Sequence, residues 1–105
     1  MIARNWSLWL DDQLDDPEVV GRKTPEGFDG AKSTDEAAEF VRLWGPPVMM
    51  DLDHDLGGGD SAMVFLRWLS EEFPYSCPAY LIHSENPIGR ENIVAFMESW
   101  KRSIE

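Results

Sequence analysis

Three short apolar runs, Trp6-Ser7-Leu8-Trp9-Leu10, Val48-Met49-Met50-Asp51-Leu52 and Ala79-Tyr80-Leu81-Ile82, each stop abruptly at polar residues. Short runs with such ends predict β-strands that stop at loops. Phe28-Asp29-Gly30-Ala31-Lys32 reads as a weaker strand at a sheet edge, Gly30 being a poor strand former. Elsewhere the apolar residues recur at helical spacing. A first helix begins after Ser33 or Thr34, whose oxygen caps free amides ahead of Asp35 and Glu36 at the positive end of the helix dipole. It carries Ala37, Ala38, Phe40, Val41 and Trp44 and stops at Gly45-Pro46-Pro47. A second, capped by Asp60 or Ser61, carries Met63, Leu66, Leu69 and Phe73 and stops at Pro74. The last carries Ile93, Phe96, Met97, Trp100 and Ile104 on one face. From Gln13 to Glu26 the chain holds Asp15, Asp16, Pro17, Gly21 and Pro25, which predicts a surface connection with no long element.

Strands alternating with helices imply a parallel sheet of about four strands, with right-handed crossovers and helices on both faces. The C-terminal ends of all the strands then point to one rim. Along that rim stand Asp11 and Asp12, then Asp53, His54 and Asp55, then His83, Ser84 and Asn86. In open α/β sheets the ligand crevice lies outside these strand ends, so three loops bring chemistry to one place. No internal repeat or second domain is visible, and the 105 residues read as a single domain. A chain of this size buries roughly two-thirds of its unfolded surface.

The net charge of −11 changes the picture of what can bind. It disfavours non-specific attraction to nucleic acid or to an anionic membrane, so a phosphate ligand has to be met by a local basic group, a metal or backbone donors. The same charge suits a surface that presents carboxylates to a basic protein partner. The lone Cys77, in an apolar neighbourhood, allows no internal disulfide and fits a reducing compartment with a buried, inert thiol. Met1 to Trp6 lacks the apolar core of a signal peptide, and no run approaches the length of a membrane span. A cytoplasmic protein without membrane contact is expected.

The densest chemistry lies in Asp51-Leu52-Asp53-His54-Asp55-Leu56-Gly57-Gly58-Gly59-Asp60. If Asp51, Asp53 and Asp55 project alike from an extended chain, their repulsion needs a cation, a hydrogen-bond donor or solvent to relieve it. Asp11, Asp12 and Asp53 are hard oxygen donors suited to Mg²⁺ or Mn²⁺. His54 and His83 suit general acid and base roles. Arg90 suits stabilisation of the developing charge, together with amides at the start of the last helix. Bland alternatives stay open at each position. His54 can simply bond a neighbouring carboxylate and hold its loop, His83 can be a satisfied structural histidine, and Arg90 can pair with Glu85 or Glu91. Ser84 to Pro87 can be only a helix cap, and Gly57 to Gly59 fit backbone turning better than phosphate cradling because they form no P-loop pattern.

Three motifs taken together, Leu8-Trp9-Leu10-Asp11-Asp12, Leu52-Asp53-His54-Asp55-Leu56-Gly57 and Ile82-His83-Ser84-Glu85-Asn86-Pro87-Ile88-Gly89-Arg90, resemble the cyclic-phosphate processing receiver domains, a divergent branch of the response-regulator receiver fold. The resemblance spans nearly the whole chain and implies a truncated, flavodoxin- or CheY-like three-layer α/β fold. It implies that Asp11 and Asp12 are the acidic pair that holds Mg²⁺, that Asp53 stands where a receiver accepts a phosphoryl group, and that Ser84 is the hydroxyl that contacts a phosphoryl oxygen. His54 and His83 are features of the divergent branch. The Gln13–Gly27 loop is longer than the family pattern, and no fifth strand with its lysine follows, which argues against phosphorelay signalling.

The expected function is therefore a metal-dependent domain that binds or hydrolyses a cyclic phosphate on a nucleotide or RNA end, with Asn86 and Arg90 among the substrate contacts. The alternative is a non-enzymatic acidic module that binds a protein partner as adaptor or inhibitor. The sheet edge left without a fifth strand predicts a homodimer.

Overall fold

A computed structural model of the chain describes residues 4–14 and 23–105. The elements follow in the order β1 (Ser7–Leu10), β2 (Asp29–Ala31), α1 (Thr34–Trp44), β3 (Met49–Leu52), α2 (Ala62–Glu72), β4 (Ala79–Ile82) and α3 (Pro87–Ile104). The strands form one parallel sheet in the order β2-β1-β3-β4. The receiver-type sheet expected from the sequence is present, with the weak strand at one edge. The predicted surface connection from Gln13 to Glu26 lies mostly outside the described residues.

Period-two alternation decides where the core sits. Leu8 and Leu10 of β1 and Met50 and Leu52 of β3 are fully buried on one side of the sheet. They join a single apolar cluster with Ala37 and Val41 of α1, Phe65, Leu66 and Leu69 of α2, and Ile93, Met97 and Trp100 of α3. Met63 and Phe73 are only partly buried, so the α2 stripe is turned toward Ala62 and Phe65 compared with the sequence reading. On the opposite side of the sheet, Leu81 of β4 is 54% exposed.

The described helices form one layer on the core face of the sheet. Topology gives the reason. The β2-to-β3 and β3-to-β4 connections step across the sheet in the same direction, so right-handed crossovers place α1 and α2 on the same face. Consistently, α1 contacts α2 and α2 contacts α3. The β1-to-β2 connection steps the other way, and it falls largely outside the described residues.

Local chemistry fixes the helix ends. The Ser33 side chain accepts from the Glu36 amide at α1, and Gly45 closes that helix at φ 83° with its N–H on the Val41 carbonyl. Ser61 stands at the start of α2 without a side-chain cap. The Asp60 carboxylate beside it accepts from the Thr34 amide at 2.8 Å and from the Thr34 hydroxyl at 2.6 Å, tying the turn before α2 to the start of α1. α3 begins at Pro87, earlier than the polar run through Arg90 suggested. Asn86 accepts from the Gly89 amide at 3.1 Å, and proline is well suited to a first helical position.

Burial pushes the Cys77 thiol up, which disfavours its reactive thiolate. No helix among the described residues is long and apolar enough to cross a membrane.

Phe65 is fully buried within this cluster. Phe65→Ala is expected to lower stability by about 3–5 kcal/mol through lost transfer energy and a cavity. Urea denaturation measures it, and a loss below about 1 kcal/mol would contradict the packing described.

Candidate metal and anion site

Because the strands are parallel, their hydrogen-bond ladder continues one residue past each C-terminal end. Asp11 N–H donates to the Ala31 carbonyl at 3.0 Å, Asp53 N–H to Leu10 at 2.9 Å and His83 N–H to Leu52 at 3.0 Å. These three residues are therefore set side by side at the rim. Each offers one ligand atom, and those atoms lie within 4.8 Å of one another, close enough to hold a single metal ion. Asp11 is wholly buried, and its carboxylate accepts from the Gln13 amide at 2.9 Å.

Beside the cluster is a cavity of about 330 Å³ whose wall includes Asp12, Asp53, Asp55, His83, Ser84 and Asn86. That volume is at the small end of ligand pockets, which run from roughly 300 to 1,000 Å³. With so many carboxylates on its wall, an anion enters favourably only if a cation offsets them. Asp12, expected as a metal ligand, lines this cavity but is outside the three-residue cluster. Ser84 is buried, and its oxygen accepts from the Asn86 amide at 3.2 Å.

The loop after β3 turns through Gly57, Gly58 and Gly59, all at positive φ (77°, 58° and 82°). Side chains rarely adopt that conformation, which accounts for three consecutive glycines. The loop is then fastened to the start of α3. Asn86 Nδ2 donates to Asp55 Oδ2 at 3.2 Å, and His54 Nδ1 lies 3.1 Å from Asp55 Oδ1. The hydrogen bond from Asn86 first, and that from His54 second, lower the Asp55 pKa below its ordinary value.

His54 and Arg90, expected in acid–base and charge-stabilising roles, stand behind the cavity wall. Neither is among the cavity-lining residues. The His54 side chain is 15% exposed and packs against the α3 backbone, where a Cβ on Gly89 would come within 2.5 Å of its ring. This position matches the loop-holding alternative. Arg90 Nη1 points back to the Ile82 and Ser84 carbonyls at 3.4 and 3.3 Å, closing the turn after β4. Asn86 lines the cavity, although its amide is engaged by Asp55 and Gly89.

Sequence reasoning passed over Asp51 and Trp9. Asp51 drew attention only as one of three alternate acids with Asp53 and Asp55, whereas β3 runs through Leu52 and keeps Asp51 inside the sheet, where it is 9% exposed. Its Oδ1 lies 2.7 Å from His83 Nδ1. The Trp9 ring stacks on the His83 ring at 4.1 Å and 6°. The matched offsets Trp9/Asp11, Asp51/Asp53 and Leu81/His83, each two residues apart, were the available signal.

The parallel sheet with its acidic rim and neighbouring cavity defines a receiver-like α/β domain. A family model described as the cyclic-phosphate processing receiver domain matches residues 6–99, and the chain belongs to that family. Neither the curated proteins nor the solved structures yield a match.

Two outcomes follow from this geometry. Gly89→Ala is expected to cost about 1–3 kcal/mol by crowding His54, and less in a His54→Ala background. A double-mutant cycle by chemical denaturation tests the contact, since an equal penalty in both backgrounds would refute it. Asp55 should ionise below the ordinary aspartate value of 3.8. Because its folded pKa is depressed, its stabilising contribution is present above the unfolded value and lost as pH falls through the folded one. Carboxyl-carbon NMR titration should give a midpoint under 3.8, and one at or above that value would contradict the two hydrogen bonds.

Proposed function

We propose that this receiver-like domain binds a cyclic phosphate, carried on a nucleotide or an RNA end, through a divalent cation held at the rim, and that it hydrolyses the bound ring. The observation that carries this proposal is the meeting of Asp11, Asp53 and His83 beside a cavity of ligand size. Family membership supports cyclic phosphate as the chemical class.

Asp11 and Asp53 supply the oxygen donors that suit Mg²⁺ or Mn²⁺, and His83 faces the same point. When bound, such an ion offsets the carboxylate charge and polarises a phosphate oxygen. Ser84 can donate its hydroxyl proton to another phosphate oxygen. Asn86 keeps Asp55 and the β3–α2 loop in place beside the ligand. Hydrolysis breaks one phosphoester bond of the ring and joins a water oxygen to phosphorus, and the proton lost by that water ends on the departing ribose oxygen. Asp12 and Glu85, both on the cavity wall, are the carboxylates assigned to carry that proton.

Calorimetric titration of Mg²⁺ and Mn²⁺ into the wild type and Asp53→Asn tests the first step. Binding by the wild type should weaken at least tenfold in the variant, roughly 1.4 kcal/mol. A panel of 2′,3′- and 3′,5′-cyclic nucleotides should then bind or turn over only with the cation present. Absence of both metal binding and metal-dependent ligand binding would defeat the proposal. It would leave the −11 surface as the feature to follow, through a protein partner captured at low salt and lost at high salt.

A further inference from the structure

We infer that Asp51 is a positioning residue that makes His83 a nitrogen ligand, and that this nitrogen sets the preference of the centre for a first-row transition cation such as Mn²⁺ over Mg²⁺. The inference rests on the metal site proposed above and names its cation class.

Strand register gives the arrangement. Trp9, Asp51 and Leu81 are direct neighbours across β1, β3 and β4. Two residues further along each strand, on the same parity, come Asp11, Asp53 and His83. One row thus carries the candidate ligands, and the row behind it carries their supports. The Asp51 carboxylate meets His83 Nδ1 at 2.7 Å, a short contact that suits an N–H donated to an ionised acceptor. Trp9, stacked at 4.1 Å, limits rotation of the ring out of that plane. With the proton of the neutral ring held on Nδ1, the lone pair is on Nε2.

Nε2 is the atom directed toward the ligand cluster. It is buried, makes no hydrogen bond among the described residues, and lies 3.4 Å from Asp11 Oδ2. A buried ring nitrogen in that state is costly unless something accepts its lone pair. A cation shared with Asp11 and Asp53 does so. Carboxylate, histidine and metal in line is the arrangement by which an outer acid fixes the tautomer and raises ligand basicity. An imidazole among two carboxylates also moves the donor set away from the all-oxygen surroundings Mg²⁺ favours.

The test compares Mn²⁺ and Mg²⁺ affinities in the wild type, Asp51→Asn and His83→Gln, and reads the His83 ring proton by long-range ¹H–¹⁵N correlation in metal-free protein at a pH where the ring is neutral. In the wild type the proton should be on Nδ1, and Mn²⁺ should bind at least tenfold more tightly than Mg²⁺. Asp51→Asn should weaken Mn²⁺ by about 10–100-fold while changing Mg²⁺ much less. His83→Gln should bring the two affinities together. A ring proton on Nε2 in the wild type overturns the inference whatever the variants do, so misfolding of either variant leaves it decidable. Equal wild-type affinities for the two cations also overturn it, while leaving the metal site itself standing. Binding of neither cation removes both.

Discussion

A carboxylate withdrawn from water has to recover its lost hydration from fixed partners, and Asp11 is wholly buried. The rest of the rim can be understood from that constraint. A backbone amide from Gln13 meets one oxygen, and His83 Nε2 lies near the other. His83 in turn is held by a second carboxylate inside the sheet and by the face of an indole. Asp11, Asp51 and His83 are thus parts of one stack of polar contacts built across three strands. Its geometry is set by the parallel register of β1, β3 and β4, so a slip in that register would separate the whole set.

Around this rigid stack the loops are fastened by short polar ties. Asp60 binds the start of α1, Asp55 binds Asn86, and His54 packs where Gly89 leaves room. The glycine turn between Asp55 and Asp60 is thereby anchored at both ends. Loops tied to helix starts in this way keep a cavity open that electrostatic repulsion among its acids would otherwise distort.

Much of the fold was legible because each element carried its own stop. Pro46, Pro47 and Pro74 end helices, Gly45 closes one, and the apolar runs of β1, β3 and β4 break at polar residues. The single helix layer was harder to read, since it depends on which way each crossover steps across the sheet. At the site, Asp11, Asp53 and His83 were named from sequence because strand ends are predictable in a parallel sheet. The partner of His83 was not. Asp51 and His83 are separated in sequence by α2 and β4, and only the register shows that they share a face. His54 has one contact that sequence offered and one that it did not. Its ring meets the neighbouring Asp55 carboxylate, and it also fills the glycine-sized gap at the start of α3.

The pairing order of the strands also bears on how the protein is made. β1 is flanked by β2 and β3, both later in the chain, and the histidine nearest Asp11 follows β4. During synthesis from the N-terminus, Asp11 therefore leaves the ribosome long before its surroundings exist and stays hydrated until they do. Its carboxylate loses water only when distant segments have joined, a slow kind of assembly. The centre is thus completed only once β4 has joined the sheet, and a nascent chain that ends before β4 carries Asp11 and Asp53 without His83.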